Sequence, residues 1–236
     1  MYLKKYLILF LQLFLCSWMM GINTQAHSRN DTMTIRKKYS FLALGDSYTI
    51  GESVNAHERF AAYTVAMLEA SGLNFSEPEY LATTGWTTKD LLHAIAQQNP
   101  EGPYDVVTLL IGVNDQYQHM DTAGYRTRFT ECLQQATRLA DNKNDHVFVL
   151  SIPDYSVTPF AAGSDTPQIS KEIDEFNTIN KAITLSHNVS YIEITALSRE
   201  AKYDASLVAG DGLHPSGNEY AKWAKLLAAE IKNFLL

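Results

Sequence analysis

Cysteine is scarce in this chain: Cys16 and Cys132 are the only two in 236 residues. Cys16 falls in an N-terminal stretch expected to be removed. Cys132 would then stand alone, no internal disulfide could form, and stability would rest on the core. Cys132 sits in a helical pattern, FTECLQQATRLA, and reads as a buried structural thiol. Basic residues are in deficit, 19 against 26 acidic ones, for a net charge of −7. A nucleic-acid partner is not expected, because such proteins carry a basic footprint. The seven histidines are scattered, with no H-E-x-x-H or paired C-x-x-C spacing, so neither a metal nor another cofactor is expected. No G-x-S-x-G elbow, internal repeat or low-complexity tract occurs, and no second apolar run has spanning length. What remains is ordinary globular composition, 46% hydrophobic and 19% charged, long enough for one domain with a sizeable core.

The N-terminus reads as a separate object. Lys4 and Lys5 precede an apolar stretch from Tyr6 to about Met20, followed by small and polar residues up to Ala26. A charged start, an apolar middle and a small-residue exit are the signature of a secretory signal peptide over 1–26, with Thr24 and Ala26 at the cleavage positions. The apolar run is at or below the roughly 18–20 residues that a spanning helix needs. An uncleaved membrane anchor is the alternative. Lipid attachment at Cys16 is disfavoured by the bulky Leu15 before it. Export to a periplasmic or external compartment follows, with no stable membrane span after cleavage. The sequons at Asn30, Asn74 and Asn188 matter only in a eukaryotic secretory pathway.

Residues 27–39 are polar and mixed in charge, as expected of a short linker, and 40–236 form the domain. Strands are expected over 40–44, 78–82, 106–111, 147–152 and 189–194. The third and fourth, VVTLLIG and VFVLSIP, are continuous apolar runs that need cover on both faces, as central parallel strands do. Amphipathic helices are expected over 59–70, 88–98, 125–140, 170–185 and 216–236, the last opening on a Ser216-x-x-Glu219 capping box. The alternation gives an α/β chain folded as a three-layer α/β/α sandwich with a five-stranded, mainly parallel sheet.

In such sheets function gathers at the carboxyl ends of the strands. Ser47 follows the first strand in FLALGDSY, Gly85 the second in ATTGWTT and Asn114 the third in IGVNDQY, while Asp211 and His214 share the DGLHP loop before the last helix. A serine hydroxyl is a weak nucleophile and needs an adjacent base. His214 can serve, with Asp211 fixing its tautomer. The backbone N–H groups of Ser47 and Gly85 and the amide of Asn114 are the available oxyanion donors. Gly85 suits a close backbone approach because it has no Cβ. Each fragment alone has a bland reading: a turn aspartate, a helix-start histidine, a turn glycine, an Asx turn. Asp46 could cap the turn that follows it, and Asp115 could orient the Asn114 loop.

With GDSYTIGE, Gly85, Gly112-Val113-Asn114-Asp115 and Asp211-Gly212-Leu213-His214-Pro215 in this order, the chain resembles the SGNH hydrolases, the GDSL esterase/lipase family, over nearly all of residues 40–236. The resemblance implies a flavodoxin-like fold, metal-independent ester hydrolysis, and an open rim around Ser47. It leaves the ester open. Short-acyl, acetyl-type esters are expected, with longer-chain lysophospholipase or thioesterase activity as the alternative. A non-catalytic carbohydrate-binding module on the same fold is a further alternative. Tyr48, Tyr117, Tyr155 and Phe160 are the candidates for contacting a small-molecule, glycan or lipid ester. The oligomeric state is left open.

Overall fold

The computed structural model describes residues 37–235. The expected leader and most of the expected linker lie outside the described residues. Three residues assigned to the linker do not, and two of them form β1 (Lys38–Tyr39), which pairs in parallel with β3 (Asn74–Phe75) in a small second sheet. Tyr39 stacks on Phe75, 5.1 Å between ring centres, which ties the start of the domain down.

The main sheet is built from β2 (Phe41–Gly45), β4 (Glu79–Ala82), β5 (Val106–Leu110), β6 (Val147–Leu150) and β7 (Ser190–Ile192). Its order is β4-β2-β5-β6-β7 and every pairing is parallel. Every residue of β2, β5 and β6 is buried, as their unbroken apolar runs require. β5, β6 and β7 end one or two residues before their expected ends at 111, 152 and 194. Ile152 and Ile194 leave the ladder but stay buried, and side chains satisfy their backbones. The Asn177 amide bonds both the N–H and the carbonyl of Ile152, and Ser151 Oγ accepts from Ile194 N.

Helices α1 (Ser47–Ile50), α2 (Phe60–Ala70), α3 (Thr88–Gln98), α4 (Val113–Tyr117), α5 (Thr122–Leu139), α6 (Thr166–Ser186), α7 (Thr195–Ser198) and α8 (Gly217–Leu235) connect the strands. α2 packs along α8, while α3, α5 and α6 pack side by side. The chain crosses from β4 back over β2 to β5. The topological switch point, where such sheets open a crevice, therefore lies between β2 and β5.

Capping chemistry sets the helix starts. Thr87 and Asp90 form a reciprocal capping box on α3. Asp121 caps α5 and Asp165 caps α6, so both helices begin three or four residues before their apolar periodicity does. The capping box expected on α8 is only half made. Ser216 Oγ accepts from Glu219 N at 3.5 Å, but the Glu219 carboxylate turns inward to take the Trp223 indole N–H at 2.7 Å. Trp223 is fully buried, and keeping its N–H satisfied outweighs the cap.

Candidate active site

The nucleophile turn starts from a steric constraint. A Cβ on Gly45 would lie 2.1 Å from Thr49 Oγ1 and 2.2 Å from the Leu110 carbonyl oxygen, so only glycine lets β2 close against the end of β5 there. Asp46 then caps the single turn of α1, its side chain accepting from Tyr48 N at 3.0 Å. The amides of Thr49 and Ile50 bond the Asp46 carbonyl. Among the described residues, the Ser47 N–H has no acceptor, as befits the first amide of a helix. From α8, the Tyr220 hydroxyl donates to the Tyr48 carbonyl at 3.0 Å and anchors the turn from below.

Asp46 is fully buried, and burial pushes its carboxyl up to about 8, against the lowering effect of the Tyr48 N–H and with a further push from Asp115. The unfolded chain releases this proton near pH 4. The fold holds it to about pH 8, so the native state binds more protons between those values and stability falls as pH rises through the window. Asp46→Asn keeps an oxygen for Tyr48 N and removes the titration. Its melting temperature should gain on the parent by several degrees between pH 5 and pH 8, at about 2–4 °C per kcal/mol for a chain of this size. A constant difference across that window in thermal melts would show that Asp46 ionises freely in the fold.

The loop before α8 is closed by a Val208–Pro215 bridge and by Ala209 N donating to the His214 carbonyl at 2.8 Å. Within it, His214 Nδ1 lies 2.6 Å from Asp211 Oδ2. Asp211 Oδ1 takes the amides of Leu213 and His214 at 2.9 and 3.0 Å. A second side chain reaches the same carboxylate oxygen: Ser53 Oγ donates to Oδ2 at 2.6 Å. Partial burial works to raise the Asp211 pKa, and the donors from Ser53, His214 and the two amides outweigh it, holding the carboxyl well below its usual range. With Nδ1 directed at a carboxylate, Nε2 is the free nitrogen of His214.

Asn114 stands at the start of α4, and its Nδ2 donates to the Trp86 carbonyl at 3.0 Å. That bond ties it to the turn carrying Gly85. Asp115 faces away from the cavity into a buried network, accepting from Thr88 N at 2.8 Å and Thr88 Oγ1 at 2.6 Å and pairing with Arg128 at 3.1 Å. It fastens the starts of α3 and α4 to α5. Gly85 has φ +80°, the left-handed region that favours glycine, and no protein atom lies within 4 Å of where a Cβ would stand.

Ser47, Asn114 and His214 line one cavity of about 130 Å³ together with Tyr48, Val113, Tyr117, Tyr155, Phe160 and Leu213. Gly85 is not on its wall. No hydrogen bond joins Ser47 Oγ to His214 among the described residues, a gap common in free active sites, which tighten around substrate. The four aromatics split in two. Tyr48 and Tyr155 are buried, Tyr48 packing under His214 with 5.3 Å between ring centres, so Tyr48 is a wall and not an exposed rim residue. Tyr117 and Phe160 are half exposed and form a triangle with Tyr155 at 6.1–6.2 Å. Phe160 N donates to the Gly212 carbonyl at 2.9 Å, which couples this aromatic edge to the Asp211–His214 loop. Beyond the triangle lies a groove of about 330 Å³ lined by Gln116, His119, Asp165, Gln168 and Glu172 among others. Ser53 escaped the sequence reading because it lies one residue past the GDSYTIGE block, with no motif of its own.

The sequence model of the GDSL-like Lipase/Acylhydrolase family matches residues 43–222. No curated protein matches the chain. Among solved structures, the lipase/acylhydrolase from Enterococcus faecalis is 20% identical, with 83% of this chain and 96% of that one aligned at a TM-score of 0.63. The psychrotrophic esterase EstA from Pseudoalteromonas sp., in a structure inhibited by monoethylphosphonate, is 17% identical, with 84% and 98% aligned at 0.63. A variant of Axe2, an acetyl-xylooligosaccharide esterase from Geobacillus, is 21% identical, with 82% and 94% aligned at 0.61. These likenesses carry the fold, and the family match carries the chemistry: the chain belongs to the GDSL-like lipase/acylhydrolase family and is a carboxylic ester hydrolase.

Proposed function

We propose that the chain is an exported serine esterase that hydrolyses short-acyl, acetyl-type esters through an acyl-enzyme. The observation that carries this reading is the cavity of about 130 Å³ on which Ser47, Asn114 and His214 meet. His214 Nε2 takes the Ser47 proton as Oγ attacks the ester carbonyl. Asp211, bonded to Nδ1, keeps the imidazole in the receptive tautomer and stabilises its charged form. The oxyanion is received by the unbonded Ser47 N–H, the Gly85 N–H and the Asn114 amide, whose second hydrogen is left over by the Trp86 carbonyl. His214 then returns the proton to the leaving alcohol, and water repeats the cycle on the acyl-enzyme.

The small cavity supports a short acyl group. The neighbouring groove, with Asp165, Gln168 and Glu172 on its walls beside Tyr117, Tyr155, Phe160 and Ile169, offers polar partners and aromatic faces to a hydroxylated alcohol. Esterases of the same fold include one named for acetylated xylooligosaccharides, which supports the same direction. Export rests on the leader-like residues 1–26. Among the described residues no helix is long and apolar enough to cross a membrane. In a series of p-nitrophenyl esters from acetyl to palmitoyl, kcat/KM should be highest at two to four carbons and fall beyond. A maximum at long chains would replace the short-acyl reading by the lysophospholipase or thioesterase one. No turnover anywhere in the series, with no phosphonate adduct on Ser47, would favour a non-catalytic binding module.

A further inference from the structure

We propose that Ser53 is a positioning residue for the reaction, holding the Asp211 carboxylate in register with His214 from the far side of the site. The proposal rests on the Ser47–His214–Asp211 reading above. Asp211 Oδ1 is fixed by amides of its own turn, Leu213 N and His214 N. Oδ2, the oxygen that faces the imidazole, has two donors: His214 Nδ1 and Ser53 Oγ, each at 2.6 Å. The Ser53 bond therefore decides where Oδ2 stands when His214 is not holding it. It also joins two segments that are 158 residues apart, the loop of the nucleophile and the loop of the base.

The backbone supplies a second, independent observation. Ser53 has φ +65°, the left-handed region that disfavours side chains, and glycine would sit there with less strain. A loop under no constraint beyond its own folding would be better served by the smaller residue. With serine there, the strain is offset by the bond its hydroxyl makes. The neighbouring side chain points to the same organisation: Glu52 accepts from Thr84 Oγ1 in the turn that carries Gly85. Adjacent residues of one loop, entered through the left-handed cap Gly51, thus grip the oxyanion turn on one side and the Asp211–His214 loop on the other.

The competing reading is that Ser53 and Asp211 are solvent-exposed enough for water to replace the hydroxyl without consequence, since exposed bonds are easily substituted. Ser53→Gly separates the two, because it relieves the backbone while deleting the hydroxyl. On an acetyl ester, kcat should fall about tenfold with KM unchanged, as expected for loss of one hydrogen bond to a charged group. The melting temperature should be unchanged or raised. Ser53→Ala should show the same kcat loss with a lower melting temperature, because the strain remains. Parental kcat in Ser53→Gly would overturn the proposal, as would a kcat loss that tracks a loss of folded protein. Ser47→Ala, assayed alongside, keeps the two levels apart. If it is inactive while Ser53→Gly is as active as the parent, only the role of Ser53 fails. If it turns over, the mechanism beneath the proposal fails.

Discussion

Ser47→Ala should fold like the parent and lose ester turnover by about four to six orders of magnitude. The first half of that expectation comes from what Ser47 does not hold. Its carbonyl receives Glu52 N at 3.0 Å and the Gly51 cap, and both bonds survive the substitution. Its hydroxyl has no partner among the described residues, so its removal leaves no buried donor or acceptor stranded, and the melting temperature should move by no more than a few degrees. The second half comes from the chemistry. With Oγ gone, the oxyanion donors and His214 still surround the carbonyl, and residual hydrolysis falls to water attacking without a covalent intermediate. The measurement is turnover of p-nitrophenyl acetate beside a thermal melt. The pre-steady-state burst of nitrophenol should disappear together with the steady-state rate. Parental turnover in a folded Ser47→Ala would remove Ser47 as the nucleophile.

Much of the architecture around Ser47 was legible because the residues that build it obey simple rules. Continuous apolar runs became the buried strands β2, β5 and β6. Residues 88–98, with a capping box just before them, formed the expected helix at both ends. Where the reading fell short, the missing information was polar or non-local. The first turns of α5 and α6 carry no apolar periodicity, only the aspartates that cap them. β6 and β7 stop short of their apolar runs because Ile152 and Ile194 are buried outside the ladder, where side chains rather than a neighbouring strand bond their amides. β1 is two residues long and exists through pairing with residues 74–75, which a local pattern cannot reveal. The site divides the same way. Ser47, Asn114 and His214 stand in recognisable blocks and meet on one cavity. The Asn114–Trp86 and Ser53–Asp211 bonds join distant segments through a backbone carbonyl and an ordinary serine, neither of which has a signature in sequence.

Asp211→Asn should lower kcat by about 10³–10⁴ with little change in KM, by turning the imidazole to the wrong tautomer. In the parent, four donors converge on Asp211, and they keep it ionised far below the pH of any ordinary assay. Because its folded pKa is depressed, its contribution to stability is complete above the unfolded value near pH 4 and is lost only as pH falls through the folded value. A neutral-pH assay therefore reads positioning and charge, not titration. An asparagine offers one acceptor and two hydrogens to the same four donors. If its amide nitrogen faces His214, Nδ1 must become the acceptor and the proton moves to Nε2, where it points into the cavity and cannot be exchanged for the proton of Ser47. If its oxygen faces His214 and Ser53, the amide nitrogen takes the place of Oδ1 and its hydrogens are forced against the Leu213 and His214 amides. Either arrangement fails for the reason that the parent works: every group around this carboxylate is a donor. The same logic fixes the double variant. If Ser53 acts through Asp211, Ser53→Gly added to Asp211→Asn should cost almost nothing more, whereas independent roles would multiply the two losses. A further tenfold fall in the double variant would mean that Ser53 reaches the reaction by another route.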